Sequence, residues 1–290
     1  MKIILCLGII VTIVGCKKSG PSTSTPPDEH STILRLNSIS AITGTSGAQL
    51  YYTFSYKDSL VTEIVQHNLN VGDSITFLFN YNGTEIATID FYRNKADKNK
   101  LPYMRLSASY SNKQISGVHF FYNLDDSLIE SSSMQYKYDA NGRITEKRGY
   151  NILSGVSELN VIHTYSYDAD NNIVKVTSES PSGYAIEFDN SFDPSKNVFF
   201  ENNPALLIFY WYLFDLNQLG DGFAEVQMYS DHKLVSTNRI YSSVQKEIEF
   251  NITLTKDGLW NEVFNYPNVY NDSNDLLFGY MSFTYILQDR

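Results

Sequence analysis

Apolar and polar residues alternate with a period of two along most of this chain. From about residue 50 onward, short runs rich in Tyr, Val, Ile, Phe and Thr are separated by clusters of Asn, Asp, Ser and Gly. That pattern predicts half-buried strands joined by tight turns. One stretch breaks it. Residues 205–214 read Ala-Leu-Leu-Ile-Phe-Tyr-Trp-Tyr-Leu-Phe, preceded by Asn203-Pro204 and followed by Gly220. Asn as N-cap, Pro at the first helical position and a trailing Gly predict a short helix near residues 204–219, packed on the sheet as a plug. A buried strand is the rival reading, because β-prone and aromatic residues dominate the run. Strands return in the last third. Residues 226–229 and 234–241 flank Asp231-His232-Lys233, residues 247–255 and 260–266 flank Lys256-Asp257-Gly258, and residues 276–287 form a closing strand.

The turns carry a repeat. Tyr136 and Tyr138 fall on one face of a strand, Asp139 to Gly142 form a turn, and Arg143-Ile144 open the return strand. Gly142 is expected in the left-handed region that favours Gly, then Asn and Asp. Tyr165, Tyr167, Asp168, Asp170, Asn171 and Ile173 repeat the arrangement, with Asn171 in the left-handed place. Tyr122, Asn123, Asp125, Asp126 and Leu128 read as another copy, and shorter turns follow Tyr56, Tyr81 and Tyr110. The copies at Tyr56, Tyr81, Tyr110, Tyr138 and Tyr167 lie 25 to 29 residues apart. Two strands and two turns per period make an antiparallel meander, and units that cannot bury their own aromatic face must stack side by side.

Residues 136–144 match the core Tyr-x-Tyr-Asp-x-x-Gly-Arg-Ile, and residues 165–173 match it with Asn171-Asn172 for Gly-Arg. This resembles the tyrosine–aspartate (YD, or Rhs-type) repeat, over roughly residues 50–190. Degenerate copies of this kind occur in a family of uncharacterised bacterial lipoproteins with a lipid anchor, a polar tether and a β domain. The resemblance implies the architecture and is silent on activity. Long arrays in YD proteins form shells around toxin domains, and this chain has too few copies for that role. The expected fold is mainly β: an antiparallel meander of repeated hairpins in a large curved sheet or partly closed barrel.

The chain begins differently. Lys2 precedes an uncharged apolar run over residues 3–14, the length of a signal-peptide core and short of the ~20 residues that span a bilayer. It ends in Ile13-Val14-Gly15-Cys16, which resembles the lipobox of bacterial lipoproteins. The resemblance implies cleavage before Cys16, a lipid on its thiol and acylation of the new amino terminus. Two or three acyl chains, at about 0.8 kcal/mol per buried methylene, anchor effectively permanently. Residues 1–15 are thus expected to be a signal peptide, 16–31 a flexible Ser/Thr/Pro tether, and 32–290 a single β-rich domain. The other cysteine, Cys6, lies in the signal, so the domain has no disulfide or cysteine metal site. Lys17-Lys18 occupy positions that are acidic in known surface-export tags, which leaves the membrane face open.

Composition narrows the partners. The formal net charge is −10, or −11 once Lys2 is lost with the signal, and there is no basic cluster. Nucleic acid is therefore a poor partner. The chain holds 22 Tyr and 17 Phe against 2 Trp, and a tyrosine-rich face suits contact with a glycan or an envelope protein.

Motifs for chemistry are thin. Asp168, Asp170, Asn172 and Glu179 align with a calcium loop, but Ile173 stands where Gly is needed, so a turn explains them better. Ser230-Asp231-His232-Lys233 matches Ser-x-x-Lys without its helix or a following Lys-Thr-Gly. His30, His67, His119, His163 and His232 are scattered. Asp58-Ser59-Leu60, Asp73-Ser74-Ile75 and Asp126-Ser127-Leu128 resemble a bacterial O-glycosylation acceptor and also read as turns entering strands. No cofactor, metal site or catalytic set is expected. The function read from sequence is a non-enzymatic binding or structural module, lipid-anchored in the cell envelope at the outer membrane. The alternatives are an envelope hydrolase acting on polysaccharide and an accessory subunit of an outer-membrane complex.

Overall fold

A computed structural model describes residues 32–43, 48–183, 185–196, 225–226, 229–241, 244–249, 253–254, 260–261, 263–264 and 278–289. Cys16 and residues 204–219 lie outside these, so the anchor and the expected helix are not described. The first strands are β1 (Thr32–Thr43), β2 (Ala48–Lys57), β3 (Leu60–Asn68), β4 (Ser74–Asn82), β5 (Glu85–Tyr92) and β6 (Met104–Ser111). A short 3-10 helix, Lys95–Asn99, sits between β5 and β6. There follow β7 (Gln114–Leu124), β8 (Ser127–Tyr138), β9 (Ile144–Leu153), β10 (Val156–Tyr167), β11 (Ile173–Glu179) and β12 (Ala185–Lys196). The last are β13 (His232–Tyr241), β14 (Val244–Glu249), β15 (Thr253–Leu254), β16 (Trp260–Asn261), β17 (Val263–Phe264) and β18 (Phe278–Asp289).

The architecture is the expected antiparallel meander. Strands β1 to β14 pair in chain order, β18 adds to the far side of β1, and β17 to β18. β15 and β16 form a separate pair, and the sheet is not closed among the described residues. The expected strand at residues 226–229 is corrected: Val226 and Tyr229 are helical, as is Glu225.

Meander hairpins alternate between two ends. The tight turns after β2, β4, β6, β8 and β10 share one end, here the turn end; the connections after β3, β5, β7 and β9 lie at the opposite end. At the turn end each repeat tyrosine sits at a β-bulge. Register slips just before Tyr56, Tyr81, Tyr110, Tyr138 and Tyr167, which face Val61, Ile86, Ile115, Ile144 and Ile173. Bulges bend a strand and raise its twist, and repetition at one end curves the sheet. The sequence placed Tyr122–Leu128 in this series. It is instead a two-residue hairpin at the opposite end, with Asp125 and Asp126 both left-handed (φ 51° and 58°) and no bulge at its tyrosine.

Alternation sorts the faces. The inner face holds the core: Ile39, Tyr52, Ile64, Phe77, Ile89, Phe91, Leu106, Val118, Ile144, Ile173 and Val176 are buried. The outer face is charged and internally paired. Arg105 Nε binds Asp90 Oδ1 at 2.5 Å, Lys137 and Arg148 reach Glu146 at 2.7 and 2.6 Å, and His119 meets Glu130 at 2.7 Å. Lys175–Glu187 and Lys98–Glu63 are further pairs.

Candidate functional site

Two features concentrate polar chemistry: the repeat turns, and a buried charged cluster beneath them. In the first full turn, Asp139 Oδ1 accepts from the backbone N–H groups of Asn141 and Arg143, both at 2.9 Å, and Oδ2 from Arg143 Nε at 2.7 Å. Those bonds, led by the Arg143 backbone N–H, lower the Asp139 pKa. In the second turn Asp168 Oδ1 accepts from the N–H of Asp170 and Asn172 at 3.0 and 2.8 Å, and Oδ2 from Asn172 Nδ2 at 2.9 Å. Gly142 (φ 81°) and Asn171 (φ 65°) are left-handed, as the sequence predicts. The calcium alignment is not brought together. Asp168 is committed to its own turn, and Glu179 stands at the far end of β11, about 20 Å along a strand of this length.

The tyrosine hydroxyls stitch neighbouring units. Tyr81 donates to the carbonyl of Val61 at 2.7 Å, and Tyr138 to that of Ile115 at 2.8 Å. The Ile86 N–H donates to the Tyr110 hydroxyl at 3.1 Å. Each tyrosine thus reaches the bulge of the preceding unit, where ladder pairing is disturbed and backbone groups need other partners. At the end of the array Ile173 has no next tyrosine. Its N–H donates to Ser230 Oγ at 2.9 Å, and its carbonyl accepts from Asn190 Nδ2 at 2.9 Å. Ser230 is buried in that role, so the Ser-x-x-Lys match is part of the fold.

Ser230 belongs to the connection between β12 and β13, of which the described residues 225–226 and 229–231 are pinned to the inner face. Lys147 Nζ, from β9, lies 2.9 Å from Glu225 Oε1, and both side chains are almost wholly buried. The Tyr229 hydroxyl is 3.2 Å from that of Tyr138. Asn171 Nδ2 donates to Asp231 Oδ1 at 3.0 Å, and the His232 N–H to Asn172 Oδ1 at 2.8 Å. Opposite Lys147 across the ladder stands buried His163, its Nδ1 2.7 Å from Ser178 Oγ. Burial, then the Lys147 charge, drives the His163 pKa well below its usual value and keeps it neutral. Burial pushes Tyr138 up to about 12, and burial followed by Tyr138 pushes Tyr229 well up. These phenols stay protonated donors.

Chemically the cluster fastens the connection to the sheet. Its ion pair is sealed by packing, its histidine is spent on a serine, and burial holds its phenols protonated. Among the described residues no group of three His, Cys, Asp or Glu is placed to hold a metal ion. Of the histidines, His119 pairs with Glu130 outside and His232 joins the Asn172 turn. Ser59 is at a turn, and Ser74 and Ser127 open strands. Sequence reasoning missed Lys147 and Glu225. The bulge before Tyr138 shifts the register of β9, so Ile144 and Lys147, three apart, share the inner face and simple alternation hides the lysine.

No protein-family model and no curated protein matches the sequence. Solved structures do match the fold. A porin-like protein from Bacteroides uniformis superposes with a TM-score of 0.54 at 8% identity, covering 87% of this chain and 96% of that one. A porin-like protein from Bacteroides vulgatus gives 0.51 at 11% identity, covering 87% and 98%. At these identities the likeness is one of fold: the chain shares the long antiparallel meander of these porin-like proteins.

Proposed function

We propose that this chain is an envelope lipoprotein, held at the outer membrane by lipid on Cys16, whose β domain is a non-enzymatic binding or structural platform. The observation that carries the platform reading is where the reactive side chains go. Lys147, Glu225 and His163 are sealed inside, while Arg105, Lys137 and Arg148 on the outer face are engaged in ion pairs with Asp90 and Glu146. The lipobox-like residues 13–16 and the polar tether support anchoring. The fold of the porin-like proteins from Bacteroides supports an envelope setting.

The polarity of the sheet argues against a membrane-spanning pore. A membrane barrel presents an apolar band to lipid and a polar lumen. This sheet does the reverse, with Arg105, Lys137, Arg148 and Lys175 on the outer face and an apolar inner one. A basic side chain facing lipid costs about 2–4 kcal/mol at the midplane. The anchor, rather than the sheet, is what meets the bilayer. Metabolic labelling with a palmitate analogue tests this directly. The native chain takes up label and fractionates with outer membranes, and Cys16→Ala abolishes both. A native chain without label overturns the anchoring reading.

A further inference from the structure

We infer that the hairpins β7–β8 and β9–β10 form a docking edge for an extended, basic segment of a partner protein, which adds to β10 as an extra strand. Three observations converge. First, β10 is paired on both sides only from Ile162, which faces Glu179, the last residue of β11. Residues 156–161 pair with β9 alone. Beyond Glu179 the chain turns back, with the Gly183 N–H donating to the Ser180 carbonyl, and among the described residues nothing pairs with their other edge. A bare edge is a row of unspent N–H and C=O groups, and what satisfies such a row is another extended backbone.

Second, apolar surface lies beside that edge. Every strongly exposed large apolar side chain among the described residues is at this end of the sheet. Leu153 and Val156 face each other across the β9–β10 hairpin at 63% and 59% exposure, and Tyr122 faces Ile129 on the neighbouring hairpin. By alternation these four continue the inner face past the core. Third, the charge is one-sided. Residues 122–130 and 150–160 hold no Lys or Arg, and besides Glu130, which His119 already engages on the outer face, they hold Asp125, Asp126 and Glu158. A strand alternating apolar and basic residues fits Val156 and Leu153, the part of the patch nearest the edge, and the sign of Glu158. A second copy would set Glu158 against like charge, and a glycan has no ladder of amides.

This deepens the platform reading by naming its partner class. The assay is in solution and independent of acylation, so its failure leaves the anchoring reading standing. The probe is a labelled peptide of alternating Lys and Val, with a Glu–Val peptide as control, titrated against the full chain. The expected result is binding of the Lys–Val peptide that weakens with salt, with slowed amide exchange over residues 156–161. Glu158→Lys, at an exposed position, should weaken binding about fivefold. Equal binding of the Glu–Val peptide, or unchanged exchange over residues 156–161, overturns the proposal. So does protection that appears without peptide and grows with protein concentration, which assigns the edge to a second copy.

Discussion

At the scale of single residues, the Lys147–Glu225 pair ties a 35-residue connection to the sheet through one contact between charges that water does not reach. Removing one partner strands the other. Lys147→Ala should therefore cost about 3–5 kcal/mol in chemical denaturation, whereas replacing both by apolar residues of similar size should cost far less. Equal losses in the single and double variants would mean the pair contributes only packing. His163 adds a pH dependence whose sign follows from its depressed pKa. Below about pH 6.5 the unfolded chain takes up a proton that the folded chain refuses, so stability falls as pH falls through that range. One such group contributes at most about 1.4 kcal/mol per pH unit. His163→Gln, which keeps an amide near Ser178, should flatten the slope between pH 6.5 and pH 5. That window lies above the range in which the turn carboxylates Asp139 and Asp168, held low by their hydrogen bonds, begin to protonate. An unchanged slope would assign the acid sensitivity elsewhere.

Elements of the repeat were the part most legible in the sequence, because their signals are local. Asp139 and Asp168 with Gly142 and Asn171 specify turns within a few residues, and the structure forms both as read. What the pattern did not show is which end of the sheet a turn occupies. Tyr122-Asn123-Leu124-Asp125-Asp126 carries the same residue types as a repeat turn, yet lies at the opposite end, because only the count of intervening strands decides the end. Nor did the pattern show what the tyrosines do. The hydroxyls of Tyr81, Tyr110 and Tyr138 serve bulges one unit back, some 20 to 24 residues away. Tyr138→Phe removes a donor to the Ile115 carbonyl and should cost about 1 kcal/mol. Tyr167→Phe is the matched control, since the buried Tyr167 hydroxyl has no hydrogen-bond partner among the described residues. It should be neutral or slightly stabilising. Equal costs for the two would mean that the rings, and not the hydroxyl bonds, hold the units together.

On the scale of the whole molecule, the first and last long strands are neighbours, with Thr32 facing Asp289 at one end of the ladder and Thr43 facing Phe278 at the other. No local signal announces such a pairing. It joins residues separated by nearly the full chain, and the loop entropy of closing it is offset only once the intervening hairpins have formed. The likeness to porin-like proteins is one of this long-range strand path. Which face of the sheet points inward was open to the sequence, since alternation gives each strand an apolar and a polar face without saying which lies inside. The ion pairs on the outer face and the packed aromatics on the inner one decide it. A domain so arranged should leave a bilayer intact. The full, acylated chain reconstituted into dye-loaded vesicles should bind them through its lipid and hold the dye in. Leakage that persists in an acylated chain carrying Leu106→Asp, a core change that unfolds the sheet, would come from the lipid or the tether. Leakage lost with that change would mean the folded sheet itself enters the membrane, and the outer-face charges would then have to be facing water in a channel rather than solvent around a platform.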